Sequence, residues 1–166
     1  MTDPETVPAP TLAELARSLL ARGGHSTLAT QSFKHPGFPF ASVVPYAVND
    51  RGEPIFLISR LAVHTRNLEH DPRATLLVAD RSITDNPLAA PRVAVMGQVQ
   101  TIDAEDLDQA RQIYLAQHPE AASFAQFGDF QWYRMSVVDA YIVGGFGVMG
   151  WIRPDDFERA QPDSTT

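Results

Sequence analysis

The chain has no cysteine. That absence removes disulfides, thiolate metal sites, iron–sulfur clusters and a cysteine nucleophile. Basic residues are few, 13 against 20 acidic, for a net charge of −7. Nucleic-acid binders present basic surfaces, so that class is disfavoured. No apolar run approaches the roughly 18 residues of a membrane helix. Met1 to Pro10 carry three prolines and no apolar core, so no secretory signal is read and a cytoplasmic location is expected. There is no Gly-x-Ser-x-Gly elbow to support acyl transfer. The histidines, at 25, 35, 64, 70 and 118, show no zinc-ligand spacing, so no metal site is expected.

What remains is 166 residues of ordinary globular composition, read as a proline-rich disordered lead over 1–10, one domain over 11–159 and a flexible tail over 160–166. Thr11 and Glu14 form a capping box ahead of an apolar stripe at Leu12, Leu15, Ala16, Leu19 and Leu20, and Gly23-Gly24 closes that helix in a left-handed conformation. Short β-branched segments follow at Ser26–Ser32, Ala41–Val48, Pro54–Ser59, Ala74–Asp80 and Arg92–Ile102, with Asn49-Asp50-Arg51-Gly52 as a hairpin turn. A short helix is placed at Leu61–His70, ended by Asp71-Pro72. Asp103 caps a longer one over 104–117 whose buried stripe is Leu107, Ala110, Tyr114 and Leu115. Pro119–Gln126 reads as a short helical piece, Phe130–Val138 and Ala140–Gly145 as the last strands, and Pro154–Arg159 as a final helix. Strands joined by tight turns, without regular helix crossovers, indicate an α+β barrel or sandwich.

The densest polar cluster runs from Ser59 to Asn67, where a strand gives way to a helix. Helix-end N–H groups attract anions, Ser59, Thr65 and Asn67 add donors, and Arg60 or Arg66 adds a cation able to grip a phosphate. A capped helix with solvated arginines has the same pattern. Ala41, Ser42, Val43 and Val44 form a strand whose backbone can lie against a flat ring, and a buried barrel strand looks alike. Gly144, Gly145 and Gly147 permit a tight bend but lack the helix that a dinucleotide fingerprint requires. No side chain stands out as a general acid or base.

The blocks PFASVVPYA, IFLISRLAVHTRNLEHDPRATLLV, PRVAVMGQV and FGDFQWYRMSVVDAYIVGGFG resemble the pyridoxamine 5′-phosphate oxidase-like split-barrel proteins, and within them the haem-utilisation branch. The resemblance spans about residues 12–153. It implies a six-stranded antiparallel split β-barrel that forms a homodimer, with FMN in a groove between subunits. It places the flavin ring along Ala41, Ser42, Val43 and Val44, and the phosphate at Ser59, His64, Thr65, Arg66 and Asn67. It adds a contact from Arg92 and a looser one from the partner's Trp151. The leading expectation is therefore an FMN-dependent oxidoreductase acting on a small molecule. The alternatives are a haem-binding or haem-degrading protein, and a cofactor-free interaction module on the same barrel.

Overall fold

The computed structural model describes residues 9–163. The lead expected over 1–10 therefore lies outside the described residues except for 9 and 10, and the tail expected over 160–166 is described as far as 163. Helix α1 (Leu12–Arg22) begins at the expected capping box, Thr11 accepting from the Glu14 N–H and the Glu14 carboxylate accepting from the Thr11 N–H. Its apolar stripe buries Ala16, Leu19 and Leu20 in the main core.

The helix does not end in a left-handed glycine. Gly23 is extended, at φ −73° and ψ 150°. Its role is close approach: a Cβ there would overlap the hydroxyl of Tyr46, which is fully buried and donates to the Leu20 carbonyl over 2.8 Å. Arg17, only 3% exposed, donates to the carbonyls of Asp50, Phe157 and Glu158. One buried cation thus ties α1 to a hairpin turn and to the last helix.

The strands are β1 (His25–Gln31), β2 (Pro39–Pro45), β3 (Ala47–Val48), β4 (Pro54–Ser59), β5 (Arg73–Ala79), β6 (Arg92–Thr101), β7 (Phe130–Gly145) and β8 (Val148–Ile152). They form one antiparallel sheet ordered β2-β1-β5-β6-β7-β4-β3, with β8 on β7. The sheet has eight strands where the resemblance implied six, and it departs from the seven segments read along the sequence in three local ways. Tyr46 turns into the core and splits the expected 41–48 strand in two. Asp139 does not interrupt β7, which runs through 16 residues with a bulge opposite Met96 and Gly97. The glycines over 144–147 build a hairpin, with Gly145 at φ 131° and Gly147 at φ 78°, that returns the chain as β8. The β3–β4 turn matches its reading: Asn49 Oδ1 accepts from the N–H groups of Arg51 and Glu53, and Gly52 takes φ 83°.

Helices α2 (Val63–His70), α3 (Ala104–Gln117) and α4 (Pro154–Arg159) complete the fold. Asp103 starts α3 without a side-chain cap. Helix α3 covers the outer side of β3 and β4: Ala110 and Tyr114 pack with Ala47, Ile55, Leu57 and Trp132 in a second core. Strand β4 is consequently buried on both faces, and so it carries an unbroken apolar run. The rest of the sheet's outer side, from β2 across to β8, carries no helix of comparable cover, and alternate residues there are exposed. No helix of the described residues is long and apolar enough to cross a membrane.

Candidate functional site: an internally bonded corner and an open sheet face

The strand-to-helix corner expected to take a phosphate is built as predicted in backbone, from β4 into α2. Its side chains are committed elsewhere. The Ser59 hydroxyl donates to Asp129 Oδ2 over 2.9 Å, and its oxygen accepts from the Leu61 N–H. Thr65, fully buried, donates to the Ser59 carbonyl over 2.7 Å. Asn67, also buried, donates to Thr30 Oγ1 and accepts from the Phe33 N–H. Arg60 is held by the 128–129 loop, its guanidinium donating to Gly128 O and its N–H to Asp129 O, both at 2.7 Å. Of the expected clamp, exposed Arg66 alone has its side chain unbonded among the described residues.

This corner does not fit an FMN phosphate. A dianion needs free donors, and here three neutral donors are spent while a carboxylate stands within hydrogen-bond distance of Ser59. Asp129 stands out in the sequence as the one polar residue of the core-like aromatic stretch Phe127-Gly128-Asp129-Phe130, but nothing local assigns it this role.

His64 Nδ1 lies 3.1 Å from the Ser42 hydroxyl, joining α2 to the inner side of β2. Its Nε2 is buried with no partner. Burial lowers the His64 pKa below the ordinary imidazole range, so the ring is neutral at pH 7. Whichever tautomer the ring holds, an Nε2 shut inside the subunit is not available to an outside ligand without rotation of the ring.

Arg92 spends its guanidinium on the carbonyls of Pro87, Leu88 and Ala90, closing the loop before β6. Trp151 is 62% exposed on β8 and packs edge-to-face on Tyr141, ring centres 5.1 Å apart.

The structure does bring other expected residues together, on the outer face. Strand register aligns Val43, Thr27, Leu77, Ala94, Tyr141 and Trp151 as one continuous cross-strand row. The adjacent row is Ala41, Ala29, Thr75, Met96 and Asp139. Val43 is 74% and Leu77 43% exposed. Small residues keep the face low, and the β7 bulge raises Val138 beside a groove of about 430 Å³ lined by Ala29, Thr75, Met96, Gly97 and Arg73. Gly97 is needed there because a Cβ would strike the Ser136 carbonyl. Arg73 at the groove's end is neutralised by Asp71, at 2.6 Å. Hydrogen bonds from Arg73 drive the Asp71 pKa down to about 2. Among the described residues no cluster of His, Asp and Glu could hold a metal ion.

The chain is 33% identical to a heme binding protein of Mycobacterium smegmatis, over 95% of this chain and 64% of that one, with a TM-score of 0.88. HutZ, the heme storage protein of Vibrio cholerae, is 25% identical over 70% of this chain and 83% of its own, with a TM-score of 0.56. The chloroplastic heme oxygenase HOZ of Arabidopsis thaliana is 34% identical over 140 residues, which are 82% of this chain. The chain spans only 42% of that relative's length and 64% of the mycobacterial protein. The family model described as the CREG beta-barrel matches residues 8–159. With nearly all of its length so matched, the chain belongs to the CREG beta-barrel family, within the pyridoxamine 5′-phosphate oxidase-like split barrels and beside their haem-utilisation branch.

Proposed function

We propose that the chain binds haem on the open outer face of its sheet and does so as a homodimer. The observation that carries this reading is the cross-strand row Val43–Thr27–Leu77–Ala94–Tyr141–Trp151: largely apolar and open, with an aromatic pair at one end. A tetrapyrrole is a broad apolar plate, and burying it against such a surface is favourable at roughly 25 cal/mol per Å² removed from water. Relatives named for binding or storing haem or for haem oxygenation favour the same ligand. The internally bonded Ser59 corner weighs against FMN and hence against a flavin oxidoreductase.

A bound haem would supply the iron chemistry. The chain's part is to hold the plate and exclude water. Val43, Leu77, Ala94, Met96 and Val138 provide the dry surface; Tyr141 and Trp151 provide aromatic edges and faces. A second copy is the natural cover, because an exposed apolar face of this extent marks an interaction surface. The charged pair at the end of the groove, Asp71 with Arg73, is bonded to itself, so the face is read as a binding surface.

The test is paired titration. Haem added to purified protein should give a shifted Soret band saturating near one equivalent per subunit. FMN should remain free in dialysis and leave the melting temperature unchanged. Retained FMN together with an unshifted Soret band would reverse the assignment.

A further inference from the structure

We infer that the cleft between the end of α1 and the end of β5 is a carboxylate-binding rim, where Arg22 and Arg81 receive the propionates of the plate on the outer face. The inference rests on the haem reading and assigns orientation within it. The cleft measures about 310 Å³ and is lined by Arg22, Gly23, His25, Ala79, Asp80 and Arg81.

Three observations carry it. First, position: His25 and Ala79 both face outward, two residues along their strands from Thr27 and Leu77, which pair with each other in the apolar row. Two strand residues span about 7 Å, so the rim borders the row directly. Second, charge: Arg22 and Arg81 are exposed, and among the described residues neither has a carboxylate within 4.0 Å. Third, the local acid, Asp80, stays ionised, but two arginines stand against this one carboxylate, so the cleft keeps a positive charge in excess. Asp80 Oδ1 accepts from the N–H and the hydroxyl of Ser82, and those bonds, more than the two arginines, hold its carboxyl below the usual range. Arg92, paired with Ala79 across the strands, adds a further positive charge held on carbonyls.

The far end of the face offers no equal. Arg73 is bonded three ways to Asp71 and has its charge matched. An amphipathic plate with two carboxylates on one edge therefore has a preferred direction: its apolar body over Leu77 and Ala94, its charged edge toward α1. Glycines at 23 and 24 leave that edge low, and Gln117 lies across it, bonded to the Gly23 carbonyl.

The experiment compares haem with its dimethyl ester, which keeps the plate and lacks the charges. The wild type should bind haem more tightly than the ester by on the order of tenfold, the scale of charge-assisted hydrogen bonds. Arg22→Gln with Arg81→Gln should abolish that preference while leaving ester affinity unchanged. Arg111→Gln with Arg159→Gln, the same charge change on α3 and α4, should leave it intact. A far-ultraviolet spectrum and melt of each variant establish folding. Equal wild-type affinity for haem and ester overturns the rim and leaves the haem reading standing, as does a loss in the rim variant shared by both ligands. Failure of both plates to bind overturns the haem reading and the rim with it.

Discussion

Ser59 and Asp129 are 70 residues apart in sequence and joined by a 2.9 Å hydrogen bond from the hydroxyl to the carboxylate. That bond closes the turn from β4 into α2 with the protein's own anion, in the place where a cofactor phosphate would otherwise sit. Replacing Asp129 by Ala should unmake it, while Arg60, held by the backbone carbonyls of Gly128 and Asp129, keeps its own bonds. The expected cost is about 1–2 kcal/mol, in the range for a hydrogen bond to a charged acceptor on a part-exposed site. Urea midpoints at constant m-value measure it. The same variant should begin to retain FMN weakly in equilibrium dialysis if the carboxylate is what excludes the phosphate. An Asp129→Ala protein as stable as wild type would show the bond to be incidental.

Gly23 and Tyr46 give a cleaner energetic test. Gly23→Ala places a methyl on the Tyr46 hydroxyl, although φ −73° is open to alanine. Tyr46→Phe removes the hydroxyl and leaves the Leu20 carbonyl without its donor, for about 1–2 kcal/mol. The double variant should be more stable than the sum of the two losses, because the clash needs both groups. Strict additivity in a double-mutant cycle would place the steric conflict elsewhere.

Two groups mark separate windows of the pH dependence. Asp71 is depressed to about 2 by its hydrogen bonds from Arg73. Its folded pKa lies below its unfolded value, so its contribution is full above about pH 4 and is lost as pH falls toward 2. Arg73→Ala should return the Asp71 titration, followed by NMR, to the ordinary carboxylate range. His64 acts in a higher window. Burial lowers its pKa, so the unfolded chain binds the proton more readily and stability falls as pH drops below about 6.5. His64→Gln should flatten that slope below pH 6.5 and leave the Asp71 limb unchanged.

The legible part of the fold was the part written locally. Thr11 with Glu14, Asn49 with Gly52, and the apolar runs of β4 and β6 state their geometry within a few residues. Asp103 has the residue type of a cap and makes no cap bond, since propensity names a candidate and tertiary geometry decides. Gly23 was legible as a helix end and not as a contact, because its partner Tyr46 lies 23 positions on. The corner failed for the same reason at larger scale. Ser59, Thr65 and Asn67 read as free donors; the Thr65 acceptor is the Ser59 carbonyl of the same turn, but the acceptors of Ser59 and Asn67, Asp129 and Thr30, become neighbours only when the sheet closes. The outer row was invisible because each strand contributes a single residue to it, so no window along the chain contains two.

The open face makes the last prediction. Leu77 sits mid-row, paired on one side with Thr27 and on the other with Ala94, and points away from the core. At 43% exposure its replacement by Asp leaves the barrel interior untouched, so the subunit's own melting transition should shift little. A charge in the middle of an apolar contact is another matter, since burying an unpaired carboxylate under a plate or a second subunit costs several kcal/mol. Leu77→Asp should therefore leave the protein monomeric in sedimentation, where the proposed association would make the wild type a dimer, and weaken haem binding together. Leu76→Asp, one residue away and fully buried, should instead unfold the chain. The pair separates a face used for association from a strand used only for packing: a dimeric, haem-competent Leu77→Asp protein would show that the row lies outside both contacts.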